Sequence, residues 1–479
     1  MNNQRELAGK HILIGGYYGG NNLGDDALLI SIIASLRKQD AHLQFTVASF
    51  DPQSTREKFQ VESVDWHEIA ELAKSVQRAD LVLVGGGGLF QDYWGVDPLT
   101  YFRKVHGGIT TYGTLSKLAH FFGKPCMLYA VGVGPLYSTE ARQQTKEIFS
   151  LSTTATLRDQ TSIELMKEIN GDVDSANLIL TADPVFSLQP MQDDHKKAAE
   201  ILSTFPRAAG RPLIAVSLRY WEREISMAEW TSSLAAQLHI FIRTYNAQVI
   251  LTPFQINNES DFTDDLALNQ WFAKKIPDSQ NIFLVDKVLS AAEMQALYQQ
   301  CDLVVAMRLH AAILAFNAAT PMMAVSYDPK VQSLMDENGL GNFVLSLNDH
   351  DQFEKYLERA WQERESTKTH IQSILPSKRL LAEKNAEIAV QLLNIPVRIP
   401  DNEKVLEFMF ARLNQMQAMD NETLEIKADL RSARAEIDTL SLENKMLNMR
   451  LHEMENSRGW KTLERIRSIH RKVTGFYKR

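Results

Sequence analysis

Residues 302–340 read DLVVAMRLHAAILAFNAATPMMAVSYDPKVQSLMDENGL, and this stretch decides the fold class. A short β-branched run, Asp302 to Val305, stops at Arg308-Leu309-His310, and an apolar helical pattern follows at once. A second run, Met322 to Ser326, stops at Tyr327-Asp328-Pro329-Lys330. Two buried parallel strands, each ending in polar and titratable groups before a helix, are the pattern of an open α/β sheet, which builds its ligand crevice at the carboxyl ends of its strands. A core strand has no packing reason to end twice in such groups.

Working outward, the same alternation runs from residue 11 to about residue 395. In the first half strands are expected at 11–15, 44–49, 81–84, 126–131, 154–157 and 178–180. In the second they are expected at 213–218, 248–252, 281–285, 302–305, 322–326 and 343–345. Strands alternating with helices imply parallel βαβ units. The segment Ser187–Pro212 carries Pro190, Pro206 and Gly210 and reads as a boundary. The expectation is an α/β chain of two Rossmann-like domains facing a central cleft, over residues 1–190 and 191–397.

Three strand ends of the first half lack side chains. Gly15 to Gly24 opens a helix at Asp25-Asp26, Gly85 to Gly88 follows the run ending at Val84, and Gly132 and Gly134 follow the next. Glycines admit a ligand close to the backbone, and a helix start offers free N–H groups to anions. Gly16, Asn22, Gly24, Asp25, Gly86, Gly87, Gly132 and Gly134 are therefore candidates for one wall of the cleft. A tight structural turn is the competing explanation for the first loop, with the two aspartates favouring the helix dipole. Asp51 could imitate a ribose-binding acid, but the glycine spacing is not a dinucleotide fingerprint.

The segments GGYYGGNNLGDDALL (15–29), LVGGGGLFQD (83–92), GVGPL (132–136), LRDQTS (157–162), TADPVF (181–186) and VSLR (216–219), with the RLH and SYDPK turns, resemble the polysaccharide pyruvyl transferase family in order as well as composition. The pattern departs where the family often has Glu, Gln and His, at Asp26, Val131 and Gln255. The resemblance implies a twin-domain, glycosyltransferase-like fold and phosphoenolpyruvate as donor substrate. It carries donor binding to Arg219 and Arg308 and a catalytic role to His310 beside Arg308. A guanidinium fork matches both the carboxylate and the phosphate of that donor. A histidine titrating near neutrality could donate a proton to the enol methylene and later accept one from a hydroxyl. Tyr327, Asp328 and Lys330 are further donor or acceptor contacts, whereas Arg158-Asp159 and Asp183-Pro184 read as structural corners. The implied acceptor is a glycan or lipid-linked glycan of the cell surface, with no cofactor and no metal. Rival readings are a nucleotide-sugar glycosyltransferase on the same scaffold, and a scaffold without activity. Arg219 could instead form a surface ion pair with Glu222 or Glu224, and His310 could simply orient its loop.

Composition bounds the rest. Among 479 residues, a net charge of −8 argues against general nucleic-acid binding. Two cysteines, Cys126 and Cys301, in apolar surroundings imply a reduced, cytoplasmic setting. After Pro396 and Pro400 the pattern changes to a heptad repeat within 401–456. Met416, Thr423, Leu430, Ile437, Asn444 and Leu451 take the a positions; Met419, Ile426, Ala433, Leu440, Leu447 and Met454 take the d positions. A lone Asn at a, with leucines at neighbouring d positions, favours a parallel homodimer through 416–454; a helix folded back on the body is the alternative. Residues 457–479 form a basic amphipathic pattern with Trp460 and Phe476, suited to an anionic membrane surface such as the inner face of the plasma membrane.

Overall fold

The computed structural model describes residues 9–395, apart from 94, 103–105, 171–177, 207, 209, 223–224, 257–263 and 278. The expected coiled coil and the basic tail lie outside the described residues. Seven described strands form the first sheet: β1 (His11–Gly15), β2 (Gln44–Ser49), β3 (Glu62–Asp65), β4 (Leu81–Phe90), β5 (Cys126–Val133), β6 (Thr154–Leu157) and β7 (Leu178–Leu180). Their order is β3-β2-β1-β4-β5-β6-β7, and every pairing is parallel.

Six described strands form the second sheet: β8 (Leu213–Ser217), β9 (Gln248–Leu251), β10 (Ile282–Leu284), β11 (Leu303–Ala306), β12 (Met322–Ser326) and β13 (Val344–Ser346). They run β10-β9-β8-β11-β12-β13, again all parallel. Both sheets thus reverse direction once, between β1 and β4 and between β8 and β11. Such switch points open a crevice, because the helices on either side leave in opposite directions.

The expected strands are present with small shifts at their ends. One strand was not expected. β3 reads Glu-Ser-Val-Asp, has no fully buried residue and sits at the sheet edge, so it lacks the apolar run that marks the others. The tetraglycine corrects a second expectation. It does not follow a strand as a turn but continues β4, paired with β5 from Val82–Cys126 to Phe90–Val133 with a register shift after Gly87. Missing side chains are needed there for packing. A Cβ on Gly85 would collide with the Tyr129 carbonyl, and one on Gly86 would stand 3.1 Å from Leu28.

The two halves are tied directly. Leu23 N donates to Phe254 O at 2.8 Å, and Asn317 Nδ2 donates to Val185 O at 2.6 Å. Phe186 and Phe316 meet edge to face with centroids 5.3 Å apart. After β13 the chain crosses back: helix Arg364–Leu392 places Glu383 2.6 Å from Lys38, while Asn385 bonds Thr181 Oγ1 at 2.8 Å and the Ala182 carbonyl at 3.1 Å. Cys126 and Cys301 are free and buried. Among the described residues, no helix is long and apolar enough to cross a membrane.

Candidate active site

The two crevices share one cavity of about 610 Å³, within the size range of small-ligand sites. The second sheet supplies three of its cations. Arg219 follows β8 and Arg308 follows β11, so the two arginines flank the switch point. Arg308 occupies the N-cap position of helix Leu309–Asn317, which puts His310 in the first turn. Lys330 opens helix Pro329–Glu337, whose cap is the Asp328 carboxylate accepting from Lys330 N at 3.0 Å. The Lys330 ammonium lies 2.9 Å from Asp328 and donates to Gln91 at 3.3 Å, reaching across to the first domain. The Arg219 guanidinium stacks 5.6 Å above the Tyr327 ring, which is braced in turn by Trp221 at 4.5 Å. Tyr220 engages Glu222 through a hydrogen bond.

Arg308 is held by a partner the sequence did not reveal. Its Nη2 donates to Asp265 Oδ1 at 2.6 Å, with both side chains almost fully buried. Asp265 Oδ2 also accepts from Phe254 N and Gln255 N, fixing the loop after β9. Gln255 bridges the walls, donating to Gly20 O at 3.2 Å while its Oε1 lies 3.5 Å from Arg308. Arg308 Nε is buried with no acceptor among the described residues. An unmet donor in such a place is costly unless a ligand or water completes it.

The first domain contributes unequally. Asn22, Asp25 and Gly87 line the cavity, whereas Gly16, Gly24, Gly86, Gly132 and Gly134 do not reach it. Two of these glycines serve the site from behind. A Cβ on Gly24 would collide with His310 Nδ1, and one on Gly132 would lie 2.9 Å from the Arg158 guanidinium. Arg158 itself lines the cavity, pairing with Asp183 at 3.0 Å and Asp159 at 3.5 Å. The corners Arg158-Asp159 and Asp183-Pro184 are therefore part of the site; a charged dipeptide after a strand carries no sequence signal to separate it from a surface corner. At the other end of the cavity Tyr17, Phe50, His106 and Tyr112 form an aromatic wall, with Phe50 5.6 Å from Tyr17 and 5.4 Å from His106.

Two titratable groups depart from ordinary behaviour. Burial lowers the His310 pKa to about 4; the Asp183 carboxylate opposes this, and Arg158, Lys330 and Arg308 add to the lowering. Its Nε2 lies 3.9 Å from Asp183 Oδ2 and makes no hydrogen bond among the described residues. The expectation of a histidine titrating near neutrality is thus revised: burial, with Arg158 and Lys330 from segments outside the RLH motif and Arg308 within it, outweighs Asp183 and keeps the ring neutral. Asp25 moves the other way, to about 7, because burial and the adjacent Asp26 outweigh Arg308, Arg219 and Lys330. It is not the helix cap. Asn22 fills that role, its side chain accepting from Gly24 N at 3.1 Å.

The polysaccharide pyruvyl transferase family signature matches residues 22–329. The chain belongs to this family. The Erwinia amylovora amylovoran biosynthesis protein AmsJ is 22% identical over 403 residues, covering 73% of this chain and 95% of that protein. In fold the chain is similar to the UDP-GlcNAc 2-epimerase from Neisseria meningitidis, with TM-score 0.53, 13% identity, and coverage of 80% of this chain and 99% of that one. It is similar to the same degree to a glycosyltransferase from Rickettsia africae, with TM-score 0.53, 9% identity, and coverage of 81% and 100%. At these identities the likeness is one of fold, and it agrees with the twin-domain architecture. As a polysaccharide pyruvyl transferase family member the chain is a transferase whose cavity holds cations from both domains.

Proposed function

We propose that this pyruvyl transferase takes pyruvate from phosphoenolpyruvate and places it as a ketal on two hydroxyls of a cell-surface glycan or its lipid-linked precursor. The observation that carries the reading is the convergence of Arg158, Arg219, Arg308 and Lys330 on one cavity around a neutral histidine. Phosphoenolpyruvate carries a carboxylate and a phosphate on adjacent atoms, and planar guanidinium groups pair with both. Arg308, anchored by Asp265, and Arg219, stacked on Tyr327, would hold the two ends. Lys330 and Arg158 would stabilise phosphate as it leaves. His310, neutral at physiological pH, is suited to accept the proton of an attacking hydroxyl. The acceptor ring would lie along Tyr17 and Phe50, at the aromatic end of the cavity.

Phosphoenolpyruvate should raise the melting temperature of the protein in a concentration-dependent way, as any ligand that binds only the native state does. A nucleotide-diphosphate sugar should not. Stabilisation by the nucleotide sugar, with no response to phosphoenolpyruvate, would instead establish the glycosyltransferase reading. The packing of Gly24 under His310 gives a second expected result. Gly24→Ala forces the ring to move, so turnover should fall while the thermal response to phosphoenolpyruvate remains; a displacement of even 1 Å can cost on the order of 100-fold. Unchanged turnover in Gly24→Ala would remove His310 from the chemistry.

A further inference from the structure

We propose that Asp25 is the group that protonates the methylene carbon of the donor, leaving His310 to act on the first acceptor hydroxyl. This rests on the phosphoenolpyruvate reading and names the acid that reading requires. The geometry separates the two adjacent aspartates. Asp26 turns to the surface and pairs with Lys58 at 3.3 Å. Asp25 turns into the cavity and, among the described residues, forms neither an ion pair nor a side-chain hydrogen bond, although the cavity holds four cations. A carboxylate kept for structure would cap the helix, which Asn22 does, or would engage Arg308, which Asp265 does.

The groups facing Asp25 from each neighbouring element explain its protonation. Asp26 adjoins it on its own helix, Tyr17 and Tyr18 come from the loop after β1, and Tyr112 comes from helix Ile109–Phe121. Arg219, Arg308 and Lys330 face it from the second domain. Burial and Asp26 prevail over the cations and hold its pKa at about 7. An anionic donor would neutralise those same cations, so binding should strengthen the hold on the proton further.

The transfer then balances. The Asp25 O–H bond breaks as the donor π pair forms a C–H bond at the methylene carbon, leaving the adjacent carbon cationic. One acceptor hydroxyl adds there and gives its proton to His310. The carbon–oxygen bond to phosphate breaks, and the phosphate leaves with the proton from His310. The second hydroxyl closes the ketal and returns its proton to the Asp25 carboxylate. Both catalytic groups end as they began.

Calorimetric titration of the full chain with phosphoenolpyruvate at pH 8, in buffers of different ionisation enthalpy, counts the protons bound with the ligand. The wild type should take up close to one proton per donor bound. Asp25→Asn should bind the donor and take up almost none, whereas Asp25→Glu and His310→Asn should retain the uptake. Proton uptake in Asp25→Asn equal to the wild type would overturn the assignment, as would its loss in His310→Asn alone. Failure of the wild type to bind phosphoenolpyruvate at all is a separate result, which refutes the donor and is visible before any variant is compared.

Discussion

Arg308→Ala should abolish the thermal response to phosphoenolpyruvate and also destabilise the protein. The first effect follows from losing a desolvated fork against an anion, on the order of 2–5 kcal/mol, or roughly 30-fold to several thousand-fold in affinity. The second follows from Asp265. Its carboxylate is almost wholly buried and loses the guanidinium 2.6 Å away while still holding the backbone of Phe254 and Gln255. Removing one member of a buried pair costs about 3–5 kcal/mol. The two losses can be separated. Adding Asp265→Asn to Arg308→Ala removes the stranded charge, so melting temperature should recover in part while donor binding stays absent. Donor binding that returns with the second substitution would show that Arg308 acts only through the fold.

His310→Asn and Asp25→Asn should each lower the rate of phosphate release from phosphoenolpyruvate in the presence of acceptor glycan by roughly 100- to 10,000-fold. The pH dependence should distinguish them. In the wild type, kcat/KM should fall above about pH 7 as Asp25 loses its proton, and at acid pH near 4 as His310 gains one. Asp25→Asn should have the opposite effect on stability. The Asp25 pKa is raised from 3.8 to about 7 on folding, so its favourable contribution is complete below pH 3.8 and lost as pH rises through 7. At ~1.4 kcal/mol per pH unit, the loss is on the order of 4 kcal/mol at most. The asparagine variant should therefore melt higher than the wild type at pH 8 and nearly level with it at pH 4. Equal melting temperatures at pH 8 would mean that Asp25 ionises normally.

Much of this was legible in the sequence because parallel strands buried on both faces write continuous apolar runs, and all twelve expected segments begin within one residue of the start of an observed strand. Arg219, Arg308, His310 and Lys330 could be placed because each stands directly after such a run. Arg158 also follows one, but its neighbour Asp159 made it look self-contained. Asp265 was not legible at all: it lies in a polar helix start far from any strand end, and only folding brings it to Arg308. The charge state of His310 was out of reach for the same reason, since Arg158, Asp183 and Lys330 come from three separate segments. The glycines misled in a consistent direction. Absence of a side chain was read as room for a ligand, whereas at 24 and 132 it is room for another residue's ring or guanidinium.

The long helix Arg364–Leu392 has a mechanical meaning. Because it returns from the second sheet to Lys38 and Thr181, the polypeptide passes between the halves twice among the described residues, once after β7 and once after β13. Any movement of one half against the other would be restrained at two places rather than one, which favours keeping Arg219 and Arg308 of one half in line with Asp25 of the other.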